Sequence, residues 1–117
     1  YRDAIKGMIH ATGGGHTKVL KYCDAPVHVV KDNLFEIPPL FEIIQKAADT
    51  SLHEMYKVFN MGTRLEIYTD ETTASSIIDI AAGFNIRAKV IGRVKETNNS
   101  VSSLSIFTGT GELKYSE

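Results

Sequence analysis

Apolar and polar residues alternate at the start of the chain. Ile5, Gly7, Ile9 and Ala11 fall on one side and Lys6, Met8 and His10 on the other, the two-residue period of a strand with unlike faces. Three glycines at residues 13–15 end it. Val19, Leu20 and Cys23 predict a short helix over residues 16–22, and residues 27–30 read as a second strand. Pro38 and Pro39 suit the first turn of a helix, where a missing N–H leaves no bond unmade. Behind them Leu40, Ile43, Ile44 and Ala47 recur at i, i+3, i+4 and i+7, predicting one buried face. Ser51 followed by Glu54 has the form of a capping box, so another helix should carry Leu52, Met55, Tyr56 and Phe59 and stop near Asn60. Leu65 and Ile67 alternate with Arg64, Glu66 and Tyr68 as a strand would. Asp70 is a plausible N-cap for a helix with the stripe Ala74, Ile77, Ile78, Ala81 and Ala82, stopped by Gly83. Ile86, Ala88, Val90, Gly92 and Val94 return to strand period. The polar loop at Thr97, Asn98, Asn99 and Ser100 predicts a hairpin into Leu104, Ile106 and Phe107, with a frayed polar tail after it. With no internal repeat and no linker, the pattern predicts a single domain over residues 1–117. Its class is α+β, a mixed, mostly antiparallel sheet with packed helices.

Composition narrows the partners. The 117 residues are 43% hydrophobic and 23% charged, enough for one core. Thirteen Lys and Arg against fourteen Asp and Glu leave a formal net charge of -1, so no general pull toward nucleic acid or anionic membrane is expected. Cys23, the single cysteine, cannot form an internal disulfide, and no Cys/His set has zinc spacing, which fits a reducing, cytoplasmic setting. No apolar run approaches the roughly 20 residues that span a bilayer. The chain starts at Tyr1, without methionine, in sequence that already reads as structured, and is expected to be a domain excised from a longer chain.

Two glycine-containing breaks carry the candidate chemistry. Gly13, Gly14 and Gly15 at a strand-to-helix junction can turn consecutive N–H groups toward an anion, or can simply form a flexible turn. They match neither the dinucleotide fingerprint nor a P-loop. Thr12 could add a hydroxyl to such a cradle or cap the turn. His10 lies just before the glycines, on the face opposite Ile9 and Ala11, with a half-buried, hydrogen-bonded histidine as the plain reading. His16, His28 and His53 show no partner pattern and read as surface or packing residues. In HEMYKVFNMG, residues 53–62, Asn60 and Gly62 could face a ligand or merely end a helix. Cys23 reads as packing.

Taken in order, GMIHATGGG, IPPLF, HEMYKVFNMG, a helix and KVIGRV resemble the C-terminal domain of the phosphoribosylformylglycinamidine cyclo-ligase (AIR synthetase) family, over nearly all of the chain. The resemblance implies an enzyme that uses ATP to phosphorylate the formamide oxygen of formylglycinamidine ribonucleotide, after which an amidine nitrogen closes the imidazole ring. It implies that ATP and Mg2+ are held mainly by an N-terminal domain, which pairs in a homodimer, and that this domain completes the substrate cleft. No cofactor is then expected on residues 1–117 alone, nor activity without the N-terminal partner. Carried over by position, His10 would be catalytic, and Thr12, Gly13, Gly14, Gly15, Asn60 and Gly62 would bind the phosphorylated substrate.

The chain departs from the family pattern at His16, where an apolar residue is common, at Arg64, where a second glycine is common, and at Leu34 and Phe35, where a Trp is frequent. Other readings are a divergent member of the same ATP-dependent superfamily, which includes selenophosphate synthetase and thiamin-monophosphate kinase, or a stand-alone, non-catalytic nucleotide-binding or assembly domain.

Overall fold

A computed structural model describes residues 2–11, 13–23 and 25–117, with the backbone alone at Arg2. The architecture is α+β. Strands β1 (Ile5–His10) and β3 (Leu65–Thr69) form an antiparallel pair, and β2 (Val27–Lys31), β4 (Gly92–Glu96), β5 (Ser103–Thr108) and β6 (Gly111–Ser116) form a sheet in the order β4-β2-β5-β6. Only β2 and β5 run parallel; β2–β4 and β5–β6 are antiparallel. Helices α1 (Pro39–Ala48), α2 (Leu52–Val58) and α3 (Glu71–Gly83) lie between strands, and a 3-10 turn spans Gly15–Lys21.

Local chemistry explains most boundaries. Pro38 caps α1 and Pro39 opens it. Ser51 Oγ accepts from the Glu54 N–H at 3.2 Å, the forward half of the capping box. Asp70 Oδ1 accepts from the Thr73 N–H at 2.8 Å at the head of α3. The core gathers Val29, Leu104, Ile106 and Tyr115 of the larger sheet with Val19, Leu20, Met55, Tyr56, Met61 and Ile9.

Several sequence expectations are corrected. No hairpin joins β4 to β5, because β2 lies between them and pairs with both. The tail does not fray: β6 pairs with β5, Tyr115 stacks on His53 at 4.1 Å, and its hydroxyl donates to the His53 carbonyl at 2.6 Å. Ile86, Ala88 and Val90 lie outside the ladder, which begins at Gly92, where an added Cβ would meet the Val30 carbonyl oxygen at 1.8 Å. α3 does end at Gly83, but the left-handed residue that closes it is Asn85, φ 58°, with the Asn85 and Ile86 N–H groups returning to the Ala82 and Ala81 carbonyls. On α1 the inward side is Phe41, whose ring lies 5.9 Å from Phe59, with Ile44; Leu40 and Ile43 stand more than half exposed. On β3 the polarity inverts: Leu65 is exposed and Glu66 is buried.

Candidate functional site

The two glycine-containing breaks meet because of the β1–β3 pairing. His10, the end of β1, pairs with Leu65, the start of β3, and the Ala11 N–H donates to the Arg64 carbonyl at 2.8 Å. The loop leaving β1 and the turn entering β3 therefore emerge side by side. Asn60 ties them. Its Nδ2 donates to the Ala11 carbonyl at 3.2 Å, its Oδ1 accepts from the Gly62 N–H at 2.8 Å, and its carbonyl accepts from the Thr63 N–H at 3.0 Å and from His16 Nε2 at 2.8 Å.

Each glycine of the triple has a different reason. Gly15 has φ 48°, and a Cβ there would lie 2.5 Å from the Phe59 carbonyl oxygen and 2.7 Å from that of Tyr56, so it lets the loop pack on the C-terminal end of α2. Gly14 has φ 89°, and its carbonyl accepts from the Thr17 hydroxyl at 2.8 Å. Gly13 is exposed, with open space where a side chain would stand. Gly62 has φ 95°, and its Cβ would meet Pro38 Cγ at 2.9 Å, which joins the Asn60 turn to the double-proline block. Beside it a recess of about 230 Å³ is lined by Phe35, Glu36, Pro38, Gly62 and Arg87, but by none of residues 13–15. The Arg87 and Lys89 cations each stand 4.8 Å from the centre of the Phe35 ring.

Among the sequence-predicted site residues, the glycine loop at 13–15 and the turn at Asn60 and Gly62 are thus tied together through Asn60, with Gly13 exposed, Gly15 buried and, among the described residues, no shared recess between the two. His10 ends β1 with its side chain exposed beside that junction. Thr12 lies outside the described residues. Sequence reasoning missed Lys18, whose ammonium donates to the His10 carbonyl at 2.9 Å and brings a positive charge to the lip of the loop. Of the surface and packing roles read for His16, the surface one fails, and its partners were missed: it is 1% exposed and sits in a buried ionic cluster.

That cluster links the two sheets. Lys31, the last residue of β2, donates to Glu66 Oε2 at 2.5 Å, to His16 Nδ1 at 3.0 Å and to the His16 carbonyl at 3.2 Å, and Tyr68 OH donates to Glu66 Oε1 at 2.8 Å. Burial pushes the Glu66 carboxyl up, but the neighbouring His16 together with the charge and hydrogen bond of Lys31 outweighs it and holds the group at about 2. Burial lowers His16, aided by the Lys31 charge, so the imidazole is neutral at pH 7. Burial also lowers Lys31, against the pull of Glu66; with acceptors for all three of its protons, the ammonium form fits the site. For Lys31 the sequence signal was the period itself, since Val27, Val29 and Lys31 share a face, which places a lysine at an inward position; for Glu66 the period pointed outward.

Comparison with known proteins gives the lineage. Residues 2–104 match the family described as AIR synthase related protein, C-terminal domain. Phosphoribosylformylglycinamidine cyclo-ligase of Methanocaldococcus jannaschii is 36% identical over 117 residues, covering 97% of this chain and 31% of the relative. The enzyme of the same name from Methanococcus vannielii is 40% identical over 92 residues, covering 79% and 26%. That of Syntrophus aciditrophicus is 32% identical over 106 residues, covering 86% and 30%. The chain thus spans about a third or less of the length of these curated relatives. It belongs to the family of AIR synthase related C-terminal domains.

Proposed function

We propose that this domain forms one wall of the substrate cleft of a phosphoribosylformylglycinamidine cyclo-ligase, closing formylglycinamidine ribonucleotide to aminoimidazole ribonucleotide with ATP. The observation that supports the reading is the junction at Asn60, which ties the glycine loop to the FNMG turn, with the Lys18 ammonium beside the loop. A phosphorylated ligand suits such a junction, because exposed main chain at Gly13 leaves room for close approach and a nearby cation favours an anion.

In the reaction, the formamide oxygen takes the γ-phosphoryl group of ATP. An amidine nitrogen then attacks the activated carbon, the C–O bond breaks, and that oxygen leaves in inorganic phosphate while the nitrogen gives up a proton. The part for this chain is to bind and orient: residues 13 and 14 and Lys18 toward a substrate phosphate, His10 as a polar contact or carrier of the lost proton. Among the described residues no group of three His, Cys, Asp or Glu side chains stands together, and no step assigned to this chain runs through Mg2+. ATP and Mg2+ would be held by an N-terminal domain of the same enzyme, a cytoplasmic homodimer, and residues 1–117 alone would be inactive.

The test is ring closure by the complete gene product, with His10→Ala and Gly14→Val variants alongside it. At least about a tenfold loss in kcat/KM is expected for each, the scale of one lost hydrogen bond or more. Wild-type turnover and KM in both variants would place the site elsewhere, and a complete gene product that forms no aminoimidazole ribonucleotide would end the cyclo-ligase reading.

A further inference from the structure

We infer that Lys31 and Glu66 are positioning residues: their buried pair fixes the orientation and tautomer of His16, and His16 in turn clamps the glycine loop to the Asn60 turn. The clamp rests on the junction described above being the ligand site, but its geometry stands without that reading.

Two independent constraints assign the tautomer. The Lys31 ammonium carries three protons and no lone pair, so His16 Nδ1, 3.0 Å away, must accept. A carbonyl oxygen can only accept, so His16 Nε2, 2.8 Å from the Asn60 carbonyl, must donate. A neutral imidazole has one donor and one acceptor, and the two demands select the same Nε2–H form. Lys31 holds His16 at a second point, its carbonyl, at 3.2 Å, which fixes the backbone just after Gly15 as well as the ring. Glu66 holds Lys31 from the other sheet and is itself braced by the Tyr68 hydroxyl. The ring packs edge-on to Tyr56 at 5.2 Å, which leaves it little freedom to turn.

An apolar set of similar volume would fill this space without the cost of burying two charges, and such replacements are commonly neutral or stabilising. What an apolar set could not supply is the second donor to the Asn60 carbonyl, the one that comes from the glycine loop rather than from Thr63 of its own turn. Asn60 is also the residue whose amide holds Ala11 and whose Oδ1 holds Gly62. The ionic cluster therefore acts where the two loops join.

The experiment separates positioning from mere stability. In the complete gene product, a His16→Leu/Lys31→Met/Glu66→Leu/Tyr68→Phe variant removes the network without stranding a charge, and His16→Gln keeps an N–H for Asn60 and an oxygen for Lys31. Hydrogen exchange read by mass spectrometry should show the segments around residues 9–16 and 60–65 exchanging at least about tenfold faster in the fourfold variant, with residues 103–116 unchanged. KM for formylglycinamidine ribonucleotide should rise about tenfold with kcat changing far less, and His16→Gln should restore both readouts to near wild type. Unchanged exchange in the two loop segments overturns the clamp. Faster exchange with unchanged KM overturns its role in the site, provided His10→Ala raises KM in the same assay; if His10→Ala is also silent, the site reading has failed, and the exchange data alone decide the clamp.

Discussion

Lys31→Met takes the ammonium out of a pocket that keeps the carboxylate. Lys31 is 1% and Glu66 5% exposed, so water cannot replace the lost partner without opening the core. Stranding one member of a buried pair costs about 3–5 kcal/mol, a large part of the roughly 5–15 kcal/mol that holds a domain together. The pH dependence carries the sharper test. In the wild type, Glu66 sits at about 2, below its ordinary 4.5, and His16 lies below its ordinary 6.5. Depressed groups contribute stability in full above the ordinary value and lose it as pH falls toward the lowered one, so the wild type weakens from about pH 6.5 downward. In the variant a proton fills the missing charge, either on Glu66, pushed up by burial, or on His16, whose Nδ1 lies 3.5 Å from Glu66 Oε2. A raised group contributes stability that is present at low pH and lost as pH rises through it, so the variant strengthens on acidification where the wild type weakens. Urea unfolding followed by circular dichroism should therefore show a gap of about 3–5 kcal/mol at pH 7 that narrows by pH 5. A gap under about 1 kcal/mol at pH 7, or one of equal size at both pH values, refutes the reasoning.

Three further outcomes test the local arguments. Gly15→Ala forces a Cβ to within 2.5 Å of the Phe59 carbonyl oxygen at φ 48° and should cost at least about 2 kcal/mol by urea midpoint, whereas Gly13→Ala, with open space around it, should stay within about 0.5 kcal/mol of wild type. Ser51→Ala removes the acceptor for the Glu54 N–H and should lower the unfolding free energy by about 1 kcal/mol, seen in the same titration. Asn85→Ala should cost about 1 kcal/mol, because alanine tolerates φ 58° poorly, while Asn85→Gly should match or exceed wild type; equal stability of both variants would remove the backbone argument for the stop of α3.

What the sequence made legible was local. The starts of α1, α2 and α3 lie in residues that act on their own helix: Pro39, Ser51 and Asp70. Periodicity likewise placed β1, β2 and β3. Pairing was not legible, because β2 inserts between β4 and β5, and a polar loop between two strand patterns carries no record of a third strand that competes for the ladder. The faces of α1 and β3 failed for a related reason. Leu40, Ile43, Phe41 and Ile44 are all apolar, and only the position of Phe59 decides which pair turns inward. On β3 a carboxylate takes the buried place because a lysine on another sheet neutralises it, a pairing 35 residues apart that neither strand's period reveals. For the site, proximity of the two breaks followed from the β1–β3 register, yet the residues that fix their contact, His16, Lys31 and Glu66, look in sequence like a surface or packing histidine and two strand charges.

The glycine triple shows how one motif divides between fold and ligand. Gly15 is held by its own chain: the Phe59 and Tyr56 carbonyls occupy the space that a side chain would need, so this glycine is required whether or not anything binds. Gly14 answers to its left-handed φ, again without a ligand. At Gly13 the packing reason does not hold, since nothing stands within 4 Å of an added Cβ. A glycine with open space about it, next to two that the fold needs, beside the Lys18 ammonium and anchored through Asn60, is where room for an incoming phosphorylated ligand becomes a separate claim from chain packing. Stability measurements can speak for Gly14 and Gly15, but at Gly13 a side chain should register in ligand affinity while leaving the unfolding curve where it was.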